Sequence, residues 1–257
     1  MDTCFVDFHS HLVPGIDDGA VDSIDSLEMA RTLASYGFGT VHCTPHLITG
    51  GFENRPDGVR SGVAALQEEI SDAGIPVRLV AGTEHYFDEY LLDLVPAALT
   101  VGGSRYLLVE IPFRAPGDLV PAMVVQLRRQ GVLPLFAHPE RCAAFAPPRQ
   151  DAGLFGALGS VFGMRKETSL EGSLVLDLKQ SGCKFQGNIG SFAGVYGAVV
   201  RQRSIILLKN GIYSCLGSDA HTSQGLAAIL ESGLDTVRAT VGETAARQLL
   251  TGELVYD

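Results

Sequence analysis

Short apolar runs alternate with longer amphipathic segments along the chain, and this alternation limits the possible folds more than any other feature. Seven predicted strands cover residues 4–9, 39–44, 76–82, 106–111, 132–137, 183–188 and 213–218. Predicted helices cover residues 23–36, 56–73, 88–94, 116–130, 168–182 and 192–210, and the region from about 223 to the end. Apolar runs of this kind indicate parallel strands covered by helices on both faces. We therefore predict an α/β fold, either a parallel barrel or an open doubly wound sheet.

Polar residues at the strand ends favour the barrel. The candidates are His9, His11, His46, Glu84, Glu110, His138, Asp219 and His221, with Asp17 and Asp18 in the loop after the first strand. A closed barrel gathers the carboxyl ends of all its strands around one mouth, where functional groups lie. We find no internal repeat or linker, so we predict that residues 1–257 form a single barrel domain.

The same residues predict a metal centre. His9 and His11 stand at i and i+2 at the end of a strand, so their side chains face the same side and can bind one ion. Buried carboxylates and imidazoles at one mouth are unfavourable unless cations compensate them. Imidazole and carboxylate ligands favour Zn, Mn or Fe. More than one ion is needed, because one ion takes about four to six ligands.

Charge and composition exclude several classes of function. The chain has 19 Lys and Arg against 29 Asp and Glu, for a formal net charge of -10, which argues against nucleic acid as the main substrate. No apolar run reaches the roughly 18 residues that span a bilayer, so we expect no membrane insertion. The first residues lack the pattern of a secretory signal and the five cysteines form no Cys-x-x-Cys pair, so we expect a cytoplasmic protein.

Seven motifs follow one another with compatible spacing. They are Asp-Phe-His-Ser-His at 7–11, Pro-Gly-Ile-Asp-Asp-Gly at 14–19, Thr-Pro-His at 44–46, Gly-Thr-Glu at 82–84, Val-Glu-Ile-Pro-Phe at 109–113, His-Pro-Glu-Arg at 138–141 and Ser-Asp-Ala-His at 218–221. Together they resemble the CpsB/CapC-type bacterial tyrosine-protein phosphatases of the PHP (polymerase and histidinol phosphatase) superfamily. The resemblance implies a distorted seven-stranded (β/α)7 PHP barrel, similar to a TIM barrel, with three divalent metal ions (Mn, Fe or Zn).

The resemblance also implies roles for individual residues. One ion would take His9, His11, Glu84 and Asp219, a second would share Glu84 and add Glu110 and His138, and a third would take Asp18, His46 and His221. We prefer Asp18 to Asp17 as the ligand because of its place in the Asp-Asp-Gly motif. Arg141 resembles the family arginine that holds the substrate phosphate, and a guanidinium suits two phosphate oxygens. Either Asp17 or a metal-bound water would serve as the general acid.

Other residues near the strand ends have less specific interpretations. We expect His42 to pack in the core and His85 to point away from Glu84. Tyr86, Phe87, Phe113 and Arg114 either receive a phosphotyrosine ring or pack against helices. The run 187–191 either presents helix amides to an anion or serves only a tight turn. Residues 145–166 are expected to form a mobile loop or insertion.

We predict a metal-dependent phosphomonoester hydrolase that acts on phosphotyrosyl protein, such as a tyrosine kinase of capsule or exopolysaccharide synthesis. One alternative is a PHP phosphoesterase that acts on a small ester such as histidinol phosphate. Others are an amidohydrolase-like metal hydrolase and a non-enzymatic metal-binding protein. A cysteine-nucleophile phosphatase is disfavoured, because Cys142 has no arginine five residues later.

Overall fold

The computed structural model describes residues 5–146 and 169–256. Within these ranges the strands are β1 (Phe5–Ser10), β2 (Phe38–Cys43), β3 (His46–Leu47), β4 (Arg78–Ala81), β5 (Glu84–Tyr86), β6 (Tyr106–Glu110), β7 (Leu133–Ala137), β8 (Lys184–Asn188) and β9 (Cys215–Gly217). They form a three-stranded sheet in the order β1-β2-β4 and a six-stranded sheet in the order β3-β5-β6-β7-β8-β9. The strands of each sheet pair in parallel, which confirms the predicted α/β class.

Two short strands, β3 and β5, follow the second and third predicted strands but lie outside the predicted ranges 39–44 and 76–82, so the prediction of seven strands missed them. β2 ends at Cys43 and β3 begins at His46, while β4 ends at Ala81 and β5 begins at Glu84. Pro45 lies in the first gap and has no N–H to donate to a ladder. Its carbonyl accepts the N–H of Glu84 at 3.1 Å. The two breaks therefore coincide and bring His46 and Glu84 into register as paired residues.

Hydrogen bonds link the end of β1 to the segment after β9. The N–H of Asp219 donates to the His9 carbonyl at 2.8 Å, and the N–H of His11 donates to the Ala220 carbonyl at 3.0 Å. Two residues before His9, the buried Asp7 carboxylate accepts both the N–H (2.8 Å) and the hydroxyl (2.6 Å) of Ser218. These contacts join the two sheets, although the strand ladders of the described residues do not form a closed barrel.

Helices follow most strands. They are α1 (Ser23–Ser35), α2 (Pro56–Asp72), α3 (Leu91–Leu94), α4 (Leu119–Arg129), α5 (Leu174–Gln180), α6 (Ile189–Ala193), α7 (Ala198–Lys209) and α8 (Leu226–Thr251). The side chain of Asp22 caps α1, and Pro56 opens α2 at a position where its missing N–H costs nothing. The single helix predicted for 192–210 was wrong. Gly194 and Gly197 have φ values of 88° and 90°, so the chain turns there between α6 and α7.

Apolar side chains from both strands and helices form the core. The larger cluster joins strand residues such as Val41 and Phe185 to helix residues such as Leu33 and Leu207. A smaller cluster surrounds Phe8. Within the described part of the chain, no helix has the length and apolar character needed to cross a membrane. Of the loop predicted at residues 145–166, only residues 145 and 146 belong to the described part of the chain, and residues 147–166 lie outside it.

Candidate metal centre

The structure brings all nine predicted metal ligands together. Their donor atoms form four overlapping groups, and within each group the atoms lie within 4.8 Å of one another. The groups are His11, Asp18, His46 and His221; His9, His11 and Glu84; His9, His138 and Asp219; and His46, Glu84 and Glu110. Residues from positions 9 to 221 of the chain therefore converge on one site, as the strand-end pattern predicts.

The strand ends position these side chains. Glu84 begins β5, Glu110 ends β6, and His138 directly follows β7. Among the described residues other than glycine, His138 (φ 29°) and Asp219 (φ 52°) have positive φ values. This backbone conformation is unfavourable for residues with a Cβ, and such strain is typical of functional sites. The chain thus adopts unfavourable backbone at two of the candidate ligands.

Glu84 lies at the centre of the cluster. Its Oε2 atom is 2.9 Å from Nδ1 of His46 and 3.2 Å from Nε2 of His9, and its Oε1 atom is 3.1 Å from Nε2 of His138. Oε2 is buried and accepts no hydrogen bond of acceptable geometry. A buried carboxylate oxygen without such a bond, surrounded by imidazole nitrogens, fits a ligand that divalent ions share.

His9 and His11 direct the same ring nitrogen into the cluster. Their Nε2 atoms are 3.2 Å apart, and each lies 3.4 Å from Oδ1 of Asp219. On the opposite side of each ring, Nδ1 of His9 donates to Gln186 at 2.9 Å and Nδ1 of His11 donates to Asp17 at 2.7 Å. These outer acceptors hold the tautomer in which Nε2 is free to bind a metal ion.

Asp18 and Asp17 have different surroundings. Oδ1 of Asp18 lies 3.4 Å from Nε2 of both His46 and His221. The Asp17 carboxylate instead accepts from the His11 ring and from the N–H groups of Gly19 and His46. Asp18 therefore belongs to a candidate ion site, whereas Asp17 orients the residues around that site.

The charges of the cluster shift the pKa values of its members. Burial alone would lower the pKa of His9, but the negative charges of Glu84 and Asp219 raise it to about 9. Burial would raise the pKa of Asp17, but the hydrogen bond and charge of His11, together with the N–H groups of Gly19 and His46, outweigh burial and lower the pKa. Asp17 is therefore an anion near neutral pH, which favours the orienting role over that of general acid. The general-acid assignment remains a prediction.

Arg141 contacts the cluster by a hydrogen bond to Asp219. One guanidinium nitrogen donates to Oδ2 of Asp219 at 2.8 Å, and the Asn188 side-chain amide donates to the same oxygen at 2.7 Å. The other Asp219 oxygen faces His9 and His11. Asp219 therefore connects the candidate ion site to the arginine that we predict to bind phosphate.

Sequence reasoning did not assign roles to several buried polar residues around the cluster. Gln186 and Asn188 alternate along β8 with Gly187, and polar residues at i and i+2 of a buried strand could have indicated that both face the site. The fully buried Glu140 accepts from the Asn188 N–H at 3.0 Å and from the Tyr213 hydroxyl at 2.9 Å. Tyr196 lies in the turn between α6 and α7, and its ring contacts Arg141. No comparable local pattern in the sequence indicated that Tyr196 lies near the site.

His42 and His85 lie outside the four groups, and both are buried, as predicted for His42. His42 stacks on Phe8, with ring centroids 5.3 Å apart, and its Nε2 atom lies 3.1 Å from the Tyr256 hydroxyl. Burial lowers the pKa of both histidines to about 4. Both are therefore neutral core residues near neutral pH.

Comparison with known proteins identifies several relatives. The chain is 30% identical to the tyrosine-protein phosphatase YwqE of Bacillus subtilis over 218 residues, which cover 84% of this chain and 77% of YwqE. It is 20% identical to the tyrosine-protein phosphatase CpsB of Streptococcus pneumoniae over 251 residues, covering 95% and 94% of the two chains.

A solved structure from work on YwqE and CpsB, described there as unique metal-dependent tyrosine phosphatases, is similar with a TM-score of 0.77 and 26% identity. The match covers 95% of this chain and 90% of that one. The model of the family described as "Capsular polysaccharide synthesis, CpsB/CapC" matches residues 5–162 and 165–253. The chain therefore belongs to the CpsB/CapC family of capsular polysaccharide synthesis.

Proposed function

We propose that the chain is a metal-dependent phosphatase that hydrolyses phosphotyrosine in proteins. The observation that carries this proposal is the convergence of the imidazole and carboxylate ligands around Glu84, with Arg141 joined to the same cluster through Asp219. The geometry suits a phosphate monoester, whose charge needs both metal ions and a guanidinium. The family and the relatives named tyrosine-protein phosphatases support phosphotyrosine as the substrate.

The chain's own residues determine how the substrate is held. When bound, divalent ions supply a hydroxide nucleophile near neutral pH and stabilise charge on the phosphoryl oxygens. Arg141 binds the phosphate through guanidinium N–H groups other than the one that donates to Asp219. Gln186 and Asp17 keep the Nε2 atoms of His9 and His11 directed inward. A phenolate leaves more readily than an alkoxide, so tyrosyl phosphate needs little help from a general acid.

The finer assignments are part of the same proposal. Three ions, of Mn, Fe or Zn, would share the nine ligands as the family resemblance implies, with His11 also near the group formed by Asp18, His46 and His221. The hydrogen bonds between the His9–His11 segment and Asp219–Ala220 support a single domain built as one distorted barrel, which has seven strands when β2 with β3 and β4 with β5 are each counted as one interrupted strand. The phosphoprotein substrate would be a tyrosine kinase of capsule or exopolysaccharide synthesis.

The decisive experiment is hydrolysis of a phosphotyrosyl peptide after chelation and after readdition of Mn, Fe or Zn. We expect chelation to abolish hydrolysis and at least one of these ions to restore it. Histidinol phosphate and a phosphodiester serve as competing substrates on the same preparation. Faster turnover of either one, or hydrolysis that survives chelation, would contradict the proposal.

A further inference from the structure

Two aromatic rings lie against the guanidinium of Arg141 at the edge of the metal centre. The Arg141 Cζ atom is 4.8 Å from the centre of the Phe113 ring and 4.4 Å from the centre of the Tyr196 ring. Phe113 is 47% exposed and Tyr196 is 38% exposed, so contacts within the chain leave part of each side chain accessible. Both retain apolar surface for a ligand beside the arginine.

Hydrogen bonds tie the residues that carry both rings to the neighbourhood of Arg141. The Phe113 carbonyl accepts the N–H of Ala143 at 3.0 Å, which ties Phe113 to the segment that carries Arg141. Tyr196 lies in the turn between α6 and α7, and its hydroxyl accepts from the Asn188 amide at 3.3 Å. The same amide donates to Asp219. Phe113 is therefore tied to the Arg141 segment through its backbone and Tyr196 to Asn188 through its hydroxyl, and neither contact depends on the other ring.

The two rings give Arg141 an apolar border, which would lie beside the organic part of any ester whose phosphate this arginine holds. Arg141 offers five N–H donors, of which one is used by Asp219. A phosphate held by the remaining donors would bring its ester group within reach of the Phe113 and Tyr196 rings, whose centres lie 4.8 and 4.4 Å from the Arg141 Cζ atom. An aromatic ester gains offset or edge-to-face contacts with these rings, and each such contact changes affinity by about fivefold. An alkyl ester lacks these ring–ring contacts.

We infer that Phe113 and Tyr196 form an aryl subsite, in which the two rings select aromatic over alkyl phosphate esters. This inference rests on the proposed phosphatase function and deepens it, because it assigns substrate specificity to two named residues. The pair acts on the organic part of the substrate, whereas Arg141 acts on its phosphate.

The test compares two non-hydrolysable ligands that share a phosphonate and differ in the ring, namely benzylphosphonate and methylphosphonate. Their dissociation constants are measured by calorimetry on the manganese-loaded full chain. We expect Phe113→Leu and Tyr196→Leu each to lower the preference for benzylphosphonate by about fivefold. Tyr196→Phe retains the ring and should retain the preference. Tyr90→Leu replaces an exposed tyrosine at the start of α3 and serves as the control.

Two results would overturn the inference. Equal weakening of both phosphonates would mean that the rings only hold Arg141, and an unchanged preference in both leucine variants would mean that they contact no ligand. If one leucine variant does not fold, the phosphonate preference of the other variant still tests the inference. A ring-dependent preference without hydrolysis of phosphotyrosyl peptide would contradict the proposed function alone, whereas hydrolysis with a ring-independent preference would contradict the aryl subsite alone.

Discussion

The side-chain oxygen of Gln186 accepts a hydrogen bond from Nδ1 of His9 at 2.9 Å, although Gln186 is 177 residues away in the sequence. This bond holds the His9 tautomer whose Nε2 atom faces Glu84 and Asp219. Outer partners of this kind orient metal-binding imidazoles and increase their basicity. A residue that lies outside the four ligand groups therefore controls a ligand.

We expect Gln186→Ala to weaken metal binding by about 10- to 100-fold, because the His9 ring loses its orientation. Titration of the metal-free chain with Mn, followed by calorimetry, measures this effect. Gln186→Glu keeps an acceptor for Nδ1 and should bind the metal at least tenfold more tightly than Gln186→Ala. Equal affinities for the two variants would contradict the orienting role.

Glu84→Gln should remove most of the bound metal and lower phosphotyrosyl-peptide hydrolysis by more than about 100-fold, since the amide loses the charge at the centre of the cluster. Elemental analysis of the purified variant gives the metal content. Glu231→Gln changes an exposed glutamate on α8 and provides a matched control. A variant at position 84 with full metal content and an unchanged rate would refute the assigned role.

Arg141→Ala should lower kcat/KM for a phosphotyrosyl peptide by about 100-fold, which is the usual effect of losing charge-assisted hydrogen bonds to an anion. Arg141→Lys should recover part of the loss, because lysine keeps the charge but not the planar fork. The metal content is measured in parallel, since Arg141 also contacts Asp219. Loss of metal equal to the loss of activity would identify a structural role instead.

Metal binding should release protons near neutral pH. The pKa of His9 in the ion-free chain is raised to about 9, so this imidazole is protonated at pH 7 and must lose its proton to bind an ion. The apparent affinity should therefore rise as the pH rises toward 9. Calorimetry in buffers of different ionisation enthalpy counts the released protons, and a heat of binding independent of the buffer would contradict the prediction.

His42 should make the fold less stable as the pH falls. Its pKa is about 4 in the folded chain, against an ordinary value of 6.5, because it is buried and lies near the charge of Arg78. The unfolded chain therefore takes up the proton first, and the free energy of unfolding should fall by about 3 kcal/mol between pH 6.5 and 4.

Urea unfolding at several pH values measures this slope in the unmodified chain and in His42→Phe. The phenylalanine variant loses the hydrogen-bond partner of Tyr256 at every pH, but it has no group to protonate at position 42. We expect its stability to depend less steeply on pH over this range. Parallel curves for the two proteins would exclude His42 as the source.

The ligand set could be predicted from the sequence because every ligand except Asp18 lies at the end of a predicted strand or within a few residues of it. The carboxyl ends of parallel strands meet at one edge, so residues such as His9, Glu84 and Asp219 converge regardless of their distance along the chain. The break at Pro45 could not be predicted in this way, because periodicity indicates buried strands but not which neighbour each half contacts. Tyr196 depends on the tertiary placement of a turn, for which the sequence carries no periodic signal.

The left-handed backbone at His138 and Asp219 lowers the stability of the fold at two residues that the proposed phosphatase activity requires. Each such conformation costs of order 1 to 3 kcal/mol, a cost that glycine would avoid. Selection for heat resistance alone would therefore favour glycine there, and selection for phosphatase activity would oppose it. When variants are selected for both thermal stability and phosphatase activity, positions 138 and 219 should keep their residues. The stabilising substitutions should instead fall in the helices that cover the strands.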